Sequence, residues 1–341
     1  DVEIAAADIT DGDITAAIAA KAAGKAVKNL TVTLAEGTSY TVTSPITAAG
    51  NISITGNGAT IDASALTDGS KLIALDNSSE YAKKADDTES DHFLISSVTV
   101  SGVTVTGLKC AFIKDMQKTL LETLTVENSV IEMPAAGKNF IDFNGKGYVG
   151  KVVVSNSTIW AADKNTGFFA QYGSRPKNVN EAWLQEFDVQ NSTIVNIANG
   201  KNFCDLKQKG TAQNVFTLKN NIFVDCGKNG QVVVGFDGGQ TSATPVWAVD
   251  GNVFNFGGAD TSAAEVSKAG QKDSEDIVKN SIAGVITFED AATGKFGGEL
   301  VVGAKVSTTP GDPRWTITSK IEYTDVEIAA ADITDGDITA A

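Results

Sequence analysis

Five stretches of this 341-residue chain are versions of one another. They read LTVENSVIEM from Leu124, VVVSNSTIWA from Val152, FDVQNSTIVN from Phe187, FTLKNNIFVD from Phe216 and WAVDGNVFNF from Trp247. Each is a short alternating strand, a polar pair and a second short strand. The polar pairs are Asn128-Ser129, Asn156-Ser157, Asn191-Ser192, Asn220-Asn221 and Gly251-Asn252, spaced by 28, 35, 29 and 31 residues. A recurring period near thirty residues marks a stacked repeat, and no other feature of the chain narrows its fold as far. ISITGNGATI from Ile52 and VTVSGVTVTG from Val98 are weaker upstream relatives.

A second motif alternates with the first: GKNFIDF from Gly137, TGFFAQY from Thr166, GKNFCDL from Gly200 and NGQVVVGF from Asn229. Each period therefore holds three short strands with sharp corners. No long helical pattern fits between them, which argues against a βαβ sheet. This spacing predicts an all-β, single-stranded parallel β-helix, a solenoid of roughly eight to ten coils stacked ~4.8 Å apart, about 40–50 Å long. Inward side chains then form columns, one of them Val126, Val154, Val189, Leu218 and Val249. The polar pairs sit at corners, where Asn tolerates a left-handed backbone. Asn128, Asn156, Asn191 and Asn220 are expected to form a hydrogen-bonded corner ladder, a structural role rather than a catalytic one.

Composition bounds the function. A net charge of −15 argues against nucleic acid and anionic membranes, both of which need a basic surface. It also weighs against a strongly acidic polymer as substrate unless a metal bridges the two. Cys110, Cys204 and Cys226 show no metal-site spacing and lie among apolar neighbours, so they read as small buried hydrophobes. No apolar run is long enough to span a bilayer, and no signal peptide is visible, as in a processed mature chain.

A solenoid has two open ends that need covering. DGDITAAIAAKAAGKA predicts a capping helix with Asp13 as N-cap and Gly24 as stop. VKNLTVTLAEGTSYTV follows as strand, turn at Glu36-Gly37 and strand. This opening resembles that of pectate-lyase-like right-handed parallel β-helix proteins. The later stretch ITFEDAATGKFGGELVV…STTPGDPRW resembles something narrower. Phe288, Asp290, Gly294 and Phe296, then Gly311, Asp312, Pro313, Arg314 and Trp315, match an F-x-D-x-x-x-G-x-F segment and a terminal G-D-P-R-W. Both belong to an uncharacterised domain family of surface lipoproteins encoded in polysaccharide-utilisation loci of gut bacteria. The resemblance implies a right-handed β-helix, an extracellular or outer-surface location and an association with glycans; it implies no known reaction. Physically, the last motif reads as a cap in which Trp315 covers the last coil and the Asp312–Arg314 pair fixes the turn.

Enzymes of this architecture carry recognisable equipment. A lyase needs an Arg or Lys base and, typically, carboxylates holding Ca²⁺; a glycosidase needs paired carboxylates. The chain has two arginines, Arg175 and Arg314; the family glycosidase segments N-T-D and G-H-G are absent, and the R-x-K spacing of Arg175-Pro176-Lys177 stands without them. No catalytic residue is assigned. Asp86, Asp87, Glu89 and Asp91 lie in a charged insertion ending at His92. Such carboxylates can bind Ca²⁺, but counted from Asp87 the glycine and the closing glutamate of a calcium loop are replaced by His92 and Val98, and a solvated charged loop is the simpler reading. No cofactor or metal site is otherwise expected. A second insertion, QYGSRPKNVNEAWLQEF, carries Tyr172, Arg175, Lys177 and Trp183. With Trp160 these are candidates for a glycan-binding face, since a pyranose stacks on a ring while its hydroxyls seek polar partners. The plain alternative is that Trp183 packs its loop onto the coil wall. Three classes stay open: a noncatalytic glycan-associated surface protein, a self-assembling structural β-helix, and a polysaccharide lyase with an unfamiliar site.

One feature belongs to none of the coils. DVEIAAADITDGDITAA occupies residues 1–17 and recurs unchanged at residues 325–341. The second copy follows the expected cap, so it reaches a neighbour's first coil more easily than its own, giving a head-to-tail homo-oligomer. An origin unrelated to assembly, as the start of a tandem module or an added segment, stands beside that reading. The chain thus divides into residues 1–29 (strand and capping helix), 30–258 (coils), 259–323 (final coil and cap) and 324–341 (second copy).

Overall fold

The computed structural model describes residues 1–76, 83–84, 93–115, 119–145, 147–172, 185–206, 214–227, 232–236, 246–256, 259–260, 266–269, 282 and 284–322. It is a parallel β-helix with three stacks of strands. The first stack begins with β1 (Val2–Ala5) on β2 (Leu30–Thr33), paired Val2 to Leu30 and Ile4 to Val32. From Ile4 the register runs through Val32, Ile54, Val100, Val126, Val154, Val189 and Leu218 to Val249, nine rungs among the described residues. The expected column is therefore present. Its members are buried from Ile4 to Leu218 and only Val249, on the last rung, is half-buried. Alternation forces this: period-two side chains point to opposite faces, and each inward Val, Leu or Ile contributes about 1.5–3 kcal/mol by leaving water.

After each corner the chain enters the second stack, where Tyr40, Ile61, Val105, Ile131, Ile159, Ile194, Phe223 and Phe254 lie in register. The second sequence motif supplies the third stack, with Ile113, Ile141, Ala170 and Cys204 in register. Beside it Phe112, Phe140, Phe169 and Phe203 stack at centroid distances of 4.8, 5.0 and 4.6 Å. Cys110, Cys204 and Cys226 are free and buried, and burial pushes the Cys226 thiol up to about 12.

The corners adopt the backbone that the asparagines predict: φ is +49° at Asn128, +47° at Asn156, +48° at Asn191 and +55° at Asn220. The ladder, however, runs one residue later. Among the described residues the only side-chain link between these four asparagines is Asn220 Nδ2 to Asn191 Oδ1, at 3.3 Å. The continuous ladder uses the second member of each pair. The amides of Val103, Ser129 and Ser157 donate to the hydroxyls of Ser129, Ser157 and Ser192 at 3.2, 3.2 and 3.3 Å. The amides of Ser192 and Asn221 then donate to Asn221 Oδ1 and Asn252 Oδ1, both at 3.0 Å. The reason is orientation. The first residue of the pair takes the left-handed turn, while the second is fully buried and meets its neighbour one coil away.

At the first rung, helix α1 (Ile14–Ala22) packs on β1. Asp13 is its N-cap, accepting from the amides of Thr15 and Ala16 at 2.8 and 3.2 Å, and left-handed Ala23 ends it just before Gly24. No helix among the described residues is long and apolar enough to cross a membrane.

Residues 284–322 depart from the expected cap. The strands Gly284–Asp290, Lys295–Val302 and Ile317–Ile321 form a separate three-stranded sheet that lies along the side of the solenoid. Trp315 does not cover the last coil. Its Nε1 donates to Thr158 Oγ1 at 2.7 Å, and its ring meets Phe296 at 5.6 Å. Phe296, fully buried, also packs edge-on against Trp160 at 5.5 Å and Phe288 at 5.3 Å. Asp312 is buried, pairs with Arg314 and accepts from Thr158 Oγ1 at 2.7 Å, while Arg314 Nη2 donates to the Ser129 carbonyl at 2.6 Å. Gly311, at φ +91°, leaves room that a Cβ would take from Ile222 Cδ1, 2.7 Å away. Both halves of the sequence signature thus fasten a lateral strap across the coils from Ser129 to Asn255, where the outward side chains are either apolar, as Trp160, Val195, Ile222 and Val253 are, or, as Thr158 and Thr193, hydrogen-bonded to the strap.

Candidate functional site

Two of the five expected glycan-binding residues are not surface residues. Tyr172 is 1% exposed, in the third stack, with its ring 5.6 Å from Tyr148 and 6.3 Å from Phe143. Burial drives its hydroxyl pKa well upward. Trp160 is 7% exposed because the strap covers it. Neither ring can offer a face to a sugar. Alternation explains Tyr172, whose position in the motif points inward; a partner more than a hundred residues away explains Trp160. Arg175, Lys177 and Trp183 lie outside the described residues, as do Asp86, Asp87, Glu89, Asp91 and His92. Among the described residues no three His, Cys, Asp or Glu side chains converge as a metal site would require.

The strap creates a different concavity. After Lys295–Val302 the chain turns through Gly303–Thr308 and overhangs the corners of the last two rungs. The space between is a cleft of about 570 Å³. One side carries Asn220, Asp250 and Gly251 from the corners, the other Lys305, Ser307 and Thr308 from the loop, with Ile282 and Val306 supplying apolar surface. Asn220 is held from both directions: its carbonyl accepts from the Gly311 amide at 2.7 Å and its side chain bonds to Asn191. Gly251 occupies a corner where the earlier coils place Asn, and a Cβ there would collide with Asn220 Oδ1. Asp250 and Lys305 are both exposed, so the rim offers a carboxylate, an ammonium, an amide and hydroxyls around a small apolar patch. That mixture suits a neutral polyhydroxylated ligand better than a multiply charged one. Sequence reading missed it because the two sides are some fifty residues apart; its local signals are Gly at the 251 corner and the polar break GAKVSTT after an apolar strand.

A second chemically notable group is internal. Asp115 pairs in register with Leu75, is 3% exposed, and among the described residues neither carboxylate oxygen has a hydrogen-bond partner. Burial first, and the Asp142 charge second, raise its pKa to about 7, although the Gly145 and Gly147 backbone and Lys114 act the other way. At 3% exposure, its titration bears on the stability of the fold rather than on a substrate.

No protein-family model, no curated protein and no solved structure matches this chain.

Proposed function

We propose that this chain is a noncatalytic, glycan-associated β-helix protein of the cell exterior, and that a saccharide sits in the cleft between loop 303–308 and the Asn220–Gly251 corners. The observation that carries this reading is the cleft itself, of about 570 Å³, with Ile282 and Val306 beside Asp250, Lys305, Ser307 and Thr308. A sugar ring presents an apolar C–H face and a rim of hydroxyls, and such a site matches both. The net charge of −15 favours a neutral glycan over a uronic one. The resemblance to surface lipoproteins of polysaccharide-utilisation loci supports the same location and ligand class.

The test is titration with neutral oligosaccharides by calorimetry. Asp250→Ala and Lys305→Ala should each weaken binding about tenfold, roughly 1.4 kcal/mol. Unchanged affinity in both sinks the cleft assignment. Loss of binding in Trp183→Ala alone moves the site to the second insertion. Unsaturated, ultraviolet-absorbing product released from uronic polymers establishes a lyase instead.

A second reading, head-to-tail assembly through residues 325–341, is favoured by a separate observation. The identical residues 1–17 form the first rung and the start of its capping helix, so the second copy carries the strand and the first helical turn that bind the coil.

A further inference from the structure

We infer that the seat on β2 filled by residues 1–17 is an acceptor for residues 325–341 of a second copy of this chain, and that the chain's own first segment keeps that seat closed. This rests on the assembly reading above and adds the acceptor and its control.

The seat is defined by contacts made from within the segment. Val2 and Ile4 pair with Leu30 and Val32, and the Val2 amide donates to the Asn29 carbonyl at 2.8 Å. Asn29 Nδ2 donates to Asp1 Oδ1 at 2.8 Å, the Thr41 amide to the Gly12 carbonyl at 2.8 Å, and Thr43 Oγ1 to Asp13 Oδ2 at 2.6 Å. Val2, Ile4, Ile9 and Ile14 are buried in the same core cluster as the coils. Every one of these groups recurs at the same spacing, from Asp325 to Ala341. The second copy therefore carries the strand and first helical turn that fill the seat, without the equivalents of the buried Ile18 and of Lys21, which bonds Asp8 at 2.8 Å in the first.

It cannot reach its own. The Glu322 amide donates to the Val302 carbonyl at 2.9 Å, which fixes the chain next to Gly303 and the corners of the last two rungs. From β2 to the rung ending at Asn220 there are six steps, about 29 Å at ~4.8 Å each. Only residues 323 and 324 remain as leader, and two extended residues span at most ~7 Å. The donor must come from another molecule, adding a parallel strand in trans at one end while offering its own second copy at the other. Such a contact is heterologous and propagates as an open chain. Residues 1–17, tethered beside the seat, compete at an effective concentration in the millimolar range, so at micromolar concentration the seat stays closed.

The experiment uses the full chain with one substitution placed in either copy. By light scattering, Ile4→Asp should show a severalfold rise in mean mass with concentration, while wild type, Ile328→Asp and the double variant stay monomeric. Assembly of wild type at micromolar concentration overturns the closure. Assembly of Ile4→Asp that survives Ile328→Asp overturns the donor while leaving assembly by another surface. A companion measurement does not need a well-folded variant: a free peptide of residues 1–17 should raise the melting midpoint of Ile4→Asp and leave wild type unmoved. Peptide rescue with a strictly monomeric Ile4→Asp shows that the second copy is no donor. Absence of both rescue and assembly overturns the acceptor and the assembly reading together.

Discussion

The two halves of the second stack's outer face have the same geometry and different fates. One outward column runs Ser39, Thr60, Thr104, Val130, Thr158, Thr193, Ile222, Val253. Its first three members are polar and reach solvent. From Thr158 onward the column is buried, and the next one carries Trp160 and Val195. The strap lies only over the second half. Strand geometry makes a wall on which anything can be placed; the side chains pointing away from the core decide what stays there. Thr158 and Thr193 belong to the covered half because their hydroxyls have partners, in Asp312, Trp315 and the Asp312 amide at 2.7, 2.7 and 3.0 Å.

Removing the strap's anchor should break this contrast most. Phe296→Ala opens a cavity between Trp160, Phe288 and Trp315 and should cost about 3–5 kcal/mol. Limited proteolysis should then cut within 284–322 first, leaving the coils intact. Thr104→Ala on the bare half should change stability by less than about 0.5 kcal/mol. Equal effects in a urea titration would show that coverage is not what separates the halves.

The contrast also runs inward, where Asp115 is a polar residue in an apolar stack. Its pKa near 7 lies above the ordinary 3.8, so the folded state holds a proton that the unfolded chain gives up. The stability it leaves intact is complete below pH ~4, falls as pH rises toward 7, and is flat above, a loss of up to about 4 kcal/mol. Asp115→Asn should flatten the melting midpoint between pH 5 and 8, in ~1-unit steps. A slope that persists in the variant assigns the pH dependence elsewhere.

Asp312→Ala should come next, at about 2–3 kcal/mol, because it strips Arg314 of its partner and leaves the buried Thr158 hydroxyl without its acceptor. The smallest effect separates corner from ladder. Ser157→Ala leaves the buried Ser129 amide without a partner and should cost about 1–3 kcal/mol. Asn156→Gly keeps the left-handed corner and should cost only tenths of a kcal/mol, whereas Asn156→Leu should cost about 1–2 kcal/mol through backbone strain. If Asn156→Gly is as harmful as Ser157→Ala, the asparagine side chains contribute a ladder of their own.

Local rules made the coils legible. Inward positions from Val126 to Val249 follow from strict alternation and a thirty-residue period, and the positive φ at Asn128, Asn156, Asn191 and Asn220 follows from the side chain that best tolerates it. Asp13 could be read as a helix cap because capping needs only residues two and three positions away. What tertiary structure alone decided involves segments far apart in the chain. The strap places Trp315 on Thr158 and Arg314 on Ser129, separations of 157 and 185 residues that no local period encodes. The same packing turned Trp160 from a candidate ligand platform into core, and it built the cleft from a corner at 251 and a loop at 305. The ladder fell to Ser129, Ser157 and Ser192 because, at a tight corner, the residue after the turn points inward toward its neighbour one coil away.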